Sequence, residues 1–334
     1  MKTKRIGSLE VSIVGLGTNN FGTPFFGQAC DQKVATAIVH AALDAGVTFF
    51  DTAEEYSART KWGVGCSEDF IRAALGSRRN EIVIATKFMI DDWESPGEIG
   101  AKRIMKAVEG SLRRLGTDRI DLYQQHFPDP RLPIAEILEA LDRLVKDGKV
   151  REIGNSNFSG AMIDDANAVA EARGFRSFVA AQNQYNLLDP PVEEGVLASC
   201  ERNGLKLLPF FPLASGLLTG KYKRDTANPA GSRFAGDTVI TNRLRERQMS
   251  DERIAKVERL QAFAEARGHT IVELAISWLT SQPIVASVIA GATKPEQITA
   301  NARAAAWQLT DEDFRAVTAI AREPAGPPGA QASG

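Results

Sequence analysis

The chain has 334 residues, 43% of them hydrophobic and 25% charged, with 40 Lys and Arg set against 42 Asp and Glu for a formal net charge of −2. So even a balance leaves no electrostatic footprint for nucleic acid and no basic block for a membrane surface. No apolar run approaches the ~18 residues of a membrane span, and Glu10 and Gly15 break the stretch after Lys2, Lys4 and Arg5 before a signal-peptide core forms.

Three scattered cysteines (Cys30, Cys66 and Cys200) make neither a metal knuckle nor a disulfide framework. The chain therefore reads as cytoplasmic, with no nucleic-acid or membrane partner, no metal site and an oligomeric state left open. At about 150 residues per domain the length allows two domains, or one α/β barrel with insertions.

Short β-branched runs alternate with helix-period segments from one end to the other. The runs are Ser12–Gly15, Val47–Phe50, Ile82–Ala85, Ile120–Tyr123, Val150–Ile153, Phe178–Ala181, Leu205–Leu208 and Val285–Ile289. Between them the apolar spacing becomes helical, as in Ile104, Val108, Leu112 and Leu115, then Ile134, Leu138, Leu141 and Val145. Ser95-Pro96-Gly97-Glu98 reads as a capped helix start. Asp44-Ala45-Gly46 and Lys146-Asp147-Gly148 read as helix ends, with a glycine free to take positive φ.

Continuous apolar strands point to a parallel sheet buried on both faces. Eight β-then-α units in this length predict a closed (β/α)8 barrel, a TIM barrel, as one domain over 1–323. The rival, an open dinucleotide-binding sheet, lacks its third glycine at Gly15-Leu16-Gly17-Thr18-Asn19-Asn20 and again at Gly63-Val64-Gly65-Cys66-Ser67-Glu68. Residues 222–250 form a long polar connection after the seventh strand, a plain surface loop or a lid. Residues 324–334 are Pro- and Gly-rich without an apolar anchor and are expected to be disordered.

In a barrel, chemistry gathers where the strands end. Asp51 and Tyr56 follow the second run, Lys87 the third, His126 the fourth, Asn155, Ser156 and Asn157 the fifth, and Gln182 the sixth. Singly each has a dull alternative: a turn cap, a solvated lysine, a structural histidine. Together Asp51, Tyr56, Lys87 and His126 supply a proton donor. A free phenol titrates near ~10. A lysine held beside it by an aspartate is expected to lower that value, and a neutral imidazole to orient the same substrate oxygen. Such a site suits carbonyl reduction, with hydride from a cofactor and a proton from Tyr56.

With these residues in order, the chain resembles the aldo-keto reductases over most of its length. The matching pieces are Gly15-Leu16-Gly17-Thr18, Asp51-Thr52-Ala53 with Tyr56, Gly65-Cys66-Ser67-Glu68, Thr86-Lys87 and Asp121 to His126. They continue with Gly154-Asn155-Ser156-Asn157-Phe158, Gln182 with Tyr185-Asn186, Pro212 to Leu218 and Gly291 to Gln297.

The resemblance implies a barrel with an N-terminal β-hairpin that binds NADP(H), with NAD(H) possible. It implies Asp51, Tyr56, Lys87 and His126 as the catalytic tetrad, and Ser156, Asn157 and Gln182 at the nicotinamide carboxamide. Phe210 takes the place of a stacking aromatic that is usually tyrosine. Further cofactor contacts would fall to Gly17, Thr18, Asp51, Phe211, Leu213, Gly216, Lys221, Ile289, Gly291, Thr293, Lys294, Gln297 and Asn301. Gly65, Ser67 and Glu68 read equally well as an ordinary helix start.

Two departures stand out. Ser57 follows the tyrosine where glycine is common. Gly291, Ala292 and Gln297 stand where many animal members carry lysine, serine and arginine, so Lys294 is left as the formal charge for a 2′-phosphate. Thr293 is expected to cap the helix there.

Phe21, Phe25, Trp62, Phe88, Trp93 and Phe127, with Phe26, fall in or near the βα loops and would line an aromatic substrate pocket suited to aldehydes or ketones. The expected function is an NADP(H)-dependent carbonyl reductase or alcohol dehydrogenase acting on a small carbonyl or alcohol. The alternative is a non-catalytic regulatory subunit that keeps the cofactor site. An unrelated barrel hydrolase or lyase would need a metal cluster or paired carboxylates at the strand ends.

Overall fold

A computed structural model describes residues 1–23, 30–58, 60–91, 99–223 and 248–323, with isolated residues between 228 and 246. Each of the eight predicted runs becomes a strand of one closed, parallel barrel. In chain order these are β3 (Val14–Gly17), β4 (Phe49–Asp51), β5 (Val83–Phe88), β6 (Ile120–Gln125), β7 (Val150–Ser156), β8 (Ala180–Gln184), β9 (Lys206–Phe210) and β10 (Val288–Gly291). The ring closes where β10 pairs with both β3 and β9.

The first and last strands start later than their apolar runs, for local reasons. Ser12 belongs to the preceding hairpin, and its hydroxyl accepts the N–H groups of Thr48 and Phe49. Val285 makes only an isolated bridge to Leu207.

The outer layer is helical: α1 (Gln32–Asp44), α2 (Cys66–Leu75), α3 (Ala101–Leu115), α4 (Ile134–Lys146), α5 (Gly160–Arg173), α6 (Val196–Arg202), α7 (Asp251–Glu265), α8 (Ile271–Thr280), α9 (Pro295–Ala304) and α10 (Asp311–Arg322). Ile104, Val108, Leu112 and Leu115 are all buried on α3, as their spacing requires. The two predicted glycine stops hold: Gly46 and Gly148 follow α1 and α4 with φ of 77° and 73°. The Ser95 helix start lies outside the described residues, and α3 begins at Ala101 after Gly100. No described helix is long and apolar enough to cross a membrane.

The barrel's floor is a plug. Strands β1 (Thr3–Ile6) and β2 (Leu9–Ser12) pair antiparallel, with Ile6 opposite Leu9 across Gly7-Ser8. Their Ile6, Leu9 and Val11 pack with Phe49, Ala85, Leu122, Ala180, Leu208 and Ala286 from the barrel strands. Two polar ties fix the hairpin. Lys4 Nζ donates to the carbonyls of Thr280, Gln282 and Val285 at 3.0, 3.1 and 2.7 Å. Glu152 accepts the Ser8 N–H at 2.7 Å.

At the opposite end, β9 runs into a 3-10 turn (Ala214–Thr219). Most of the 222–250 connection, like 324–334, lies outside the described residues. Of its described part, Tyr222 and Phe234 are buried with ring centroids 4.9 Å apart.

Candidate active site

The inward positions of the strands turn polar toward the carboxyl ends. Phe49 is followed two residues on by Asp51, Ala85 by Lys87, Leu122 by Gln124 and Ala180 by Gln182. Lys87 is fully buried. Its Nζ donates to Asp51 Oδ2 at 2.8 Å, to the Thr52 carbonyl at 2.8 Å and to the Tyr56 hydroxyl at 3.1 Å. Asp51 is held from its other oxygen by Gln182 Nε2 at 2.8 Å. Three of the four predicted tetrad members thus form one hydrogen-bonded chain. His126 stands beside it, its ring edge-on to Tyr56 with centroids 5.8 Å apart.

The expected fall in the Tyr56 pKa does not occur in this arrangement. Burial raises the phenol above its ordinary value; Lys87 pulls it down, while Asp51 and Glu55 push it up further. Asp51 cancels much of the lysine's charge as seen from the phenol. Lys87 itself loses from burial, but Asp51 and Tyr56 together hold it above the ordinary lysine range. The resting site is a neutral phenol beside a firmly charged ammonium.

The backbone around the tetrad is tied across strands. The His126 N–H donates to the Phe88 carbonyl at 3.0 Å, and the His126 carbonyl accepts from Asn157 Nδ2 at 2.9 Å. Asn157, at φ 63°, also donates to Ser156 Oγ, which donates to the Gln182 carbonyl. Among the described residues nothing donates to Gln182 Oε1 or Asn157 Oδ1. Ser57 is left-handed too, at φ 73°, which explains why glycine is the easier residue there. Its hydroxyl donates to the Phe21 carbonyl at 2.6 Å and lies 3.0 Å from Thr23 Oγ1.

Phe210 is half-buried and packs at the top of the inward cluster, opposite Ile289 on β10. After it Phe211, Ala214 and Ser215 all hold positive φ, with Gly216 at 98°. Left-handed backbone at three non-glycine positions in one turn is the kind of strain found at ligand clamps. Leu213 and Gly216 are half-buried, and the exposed Lys221 has its Nζ 5.1 Å from the Tyr222 ring centroid.

At the last junction, Lys294 rather than Thr293 is the N-cap of α9, with Pro295 in its first turn. Gln297 reaches back to accept the Thr293 N–H at 2.7 Å. Lys294 makes no side-chain cap bond, and both it and Gly291 are exposed.

The remaining expected contributors differ in their placement. Phe88 is wholly buried against Tyr123, 4.9 Å between centroids, in the layer between barrel and helices. It points away from any pocket because Lys87 takes the inward position. Phe21 is buried in the same layer. Thr18 is fully buried, its hydroxyl donating to the Asp51 carbonyl and lying 2.7 Å from Ser67 Oγ. Glu68 accepts from Thr86 and Arg114, which ties the Gly65-to-Glu68 turn to β5 and α3. Asn301 and Ile289 are buried, and Gly17 is packed so closely that a Cβ would meet Ile289 at 2.9 Å. Trp62 and Phe127 are exposed at 40% and 46%, Phe127 stacked on His126. Phe25, Phe26 and Trp93 lie outside the described residues.

Sequence reading missed two neighbours of the tetrad. Glu54, buried, pairs with Arg103 and accepts the Met89 N–H. Glu55 meets His126. The signal was an acidic pair inside an otherwise buried loop, directly before the tyrosine.

Comparison with known proteins agrees with this fold. Residues 13–322 match the model of the aldo/keto reductase family. The chain is 34% identical to the aldo-keto reductase YhdN of Bacillus subtilis, covering 96% of this chain and 94% of that protein. It is 35% identical to a probable voltage-gated potassium channel subunit beta of Oryza sativa, over 91% of each. Among solved structures, the glycerol dehydrogenase AKR11B4 from Gluconobacter oxydans matches with a TM-score of 0.78 at 33% identity, over 95% of this chain and 94% of that one. The chain belongs to the aldo/keto reductase family.

Proposed function

We propose that this protein reduces aldehydes or ketones to alcohols, or runs the reverse reaction, with NADP(H) as its preferred cofactor and NAD(H) as a second. The observation that carries the reading is the chain Asp51–Lys87–Tyr56, which brings a buried ammonium 3.1 Å from a phenol oxygen at the open end of the barrel.

The cofactor's fit rests on three features. Phe210 offers a half-buried ring for stacking. Among the described residues, Gln182 and Asn157 leave amide oxygens without donors. The strained 211–216 turn and the uncapped start of α9 supply backbone N–H groups for phosphate. Lys294 adds a full charge at that helix start, which favours a 2′-phosphate over a hydroxyl.

A bound nicotinamide would supply the hydride. The chain does the rest. Tyr56 donates to the carbonyl oxygen and releases its proton as negative charge builds there. Lys87 steadies the phenolate that results, and Asp51 keeps the ammonium aimed. The high resting pKa of the phenol is compatible with this, because the lysine's contribution grows as charge moves onto the tyrosine oxygen. His126, beside Tyr56, would donate to the same oxygen, while Phe127 and Trp62 offer apolar surface to the substrate.

The likeness to a channel subunit supports a second reading, a regulatory module that binds the cofactor without turnover. A spectrophotometric screen of aldehydes, ketones and alcohols with NADPH and with NADH decides between them. Turnover supports the first reading. Tight cofactor binding with no turnover across the panel supports the second.

A further inference from the structure

After β4 the chain runs on alongside β5 before it turns to deliver Tyr56. The Thr52 N–H donates to the Ala85 carbonyl at 2.9 Å, and the Glu54 N–H donates to the Lys87 carbonyl at 3.1 Å. These bonds extend the register in which Asp51 pairs with Ala85. In a parallel pair the next bond would run from the Met89 N–H to the Glu54 carbonyl. The Glu54 carboxylate takes that N–H instead, its Oε1 accepting at 2.8 Å. At the last step of the ladder a side-chain oxygen replaces a main-chain one.

The exchange falls where the proton donor is placed. Glu54 lies inside the turn closed by the Tyr56 N–H on the Ala53 carbonyl at 3.3 Å. With the carboxylate holding Met89, the main chain can leave β5 at once. The turn then sets the Tyr56 hydroxyl 3.1 Å from Lys87 Nζ, with the ammonium 4.9 Å from the phenol ring centroid. Glu54 thus clasps β5 on both sides of Phe88, at the Lys87 carbonyl and at the Met89 N–H.

Arg103 of α3 donates to the same Oε1, and both side chains are buried. The two partners do different things. Met89 ties the carboxylate to the end of β5, and Arg103 offsets the cost of burying it. Burial lifts the Glu54 carboxyl to about 7 against the pull of Arg103, and its oxygen can accept the Met89 N–H in either form.

Resting on the reductase reading above, we propose that Glu54 is a positioning residue for the proton transfer. Its side-chain oxygen fixes the Tyr56 turn to β5 and so sets the spacing between Tyr56 and Lys87. Buried beside Arg103, it acts through Tyr56 and not on the substrate itself.

The test uses full-length variants that separate the oxygen from the charge. Glu54→Gln and Arg103→Met each keep an accepting oxygen and lose the ion pair. Glu54→Leu combined with Arg103→Met keeps an apolar filling and loses the oxygen. In the double variant, kcat for aldehyde reduction should fall about 10- to 100-fold, with KM and NADPH affinity within about twofold of wild type. Each single variant should keep kcat within about threefold, whatever its midpoint in urea. In a Tyr56→Phe background the double change should cost less than about twofold more, followed as a single-turnover rate. Nitrogen-15 methionine labelling resolves five amides, with Met89 assigned by its loss in Met89→Leu. Hydrogen exchange at Met89 should be slow in the wild type and in Glu54→Gln, and fast in the double variant.

A tenfold loss of kcat in either single variant would overturn the proposal, whether or not the double variant folds. So would near-normal kcat in the double variant, or fast exchange at Met89 in the wild type. Absence of carbonyl turnover in the wild type would count against the reductase reading alone, because exchange at Met89 still reports the clasp.

Discussion

The floor and the mouth of this barrel are made by the same strands, two residues apart. Phe49, Ala85, Leu122 and Ala180 close on the hairpin in a dry apolar cluster, and one inward step later Asp51, Lys87, Gln124 and Gln182 hold an ion pair and amides. At ~3.3 Å per residue, the interior passes from hydrocarbon to full charge in roughly 7 Å. The apolar layer below and the protein walls around it leave Lys87 no water, so its charge depends on Asp51. That dependence makes the ammonium a fixed part of the site. The floor sets the dielectric in which the mouth works.

This contrast is easiest to break at the proton donor. Tyr56→Phe keeps the ring and removes the hydroxyl, so carbonyl reduction should fall about 10²- to 10⁴-fold. NADPH affinity, followed by fluorescence titration, should stay the same. Near-normal turnover would remove Tyr56 from the chemistry.

Lys87→Met tests whether the mouth's charges hold each other in place. Asp51 would remain buried without its cation, a change that costs about 3–5 kcal/mol when one partner of a buried pair is removed. Urea unfolding should show that loss together with the loss of turnover. Unchanged stability would mean that water reaches Asp51 and the interior is wetter than the packing suggests.

The converse is a floor variant. Leu122→Ala opens a cavity beneath Gln124 and should lower stability by about 2–5 kcal/mol while leaving KM near wild type. A large rise in KM with little loss of stability would show that the two ends are not separable.

The smallest effect is expected at the rim. Lys294→Ala removes a charge-assisted contact worth about 1.5–3 kcal/mol, or roughly 10- to 150-fold in NADPH affinity, and should leave NADH affinity nearly unchanged. Equal losses for both cofactors would place the phosphate elsewhere.

The same two-step periodicity explains what could be read in advance. All eight strands and the tetrad's positions followed from apolar runs and the residues just beyond them. Phe88 was misplaced because it follows Lys87, and in a strand successive side chains face opposite ways. Thr293 was taken for a cap because its chemistry suits one, whereas Gln297 folds back to the Thr293 N–H and shifts the helix start by one residue. Glu55 was passed over because surface glutamates are common in loops. Its burial depends on how the β4 loop folds over β6, a long-range fact that local pattern does not hold.

The hairpin plug also bears on the order in which the chain assembles. Residues 1–12 precede every barrel strand along the chain, yet Lys4 takes its partners from Thr280, Gln282 and Val285, and β3 waits for β10. Contacts spanning nearly the whole chain cannot form until the last repeats exist, and closing so long a loop comes with an entropy cost that local helices avoid. The hairpin, made before any barrel strand, is therefore among the last to dock, and until it does the apolar floor stands open. During that interval the nascent barrel is at its most exposed to aggregation.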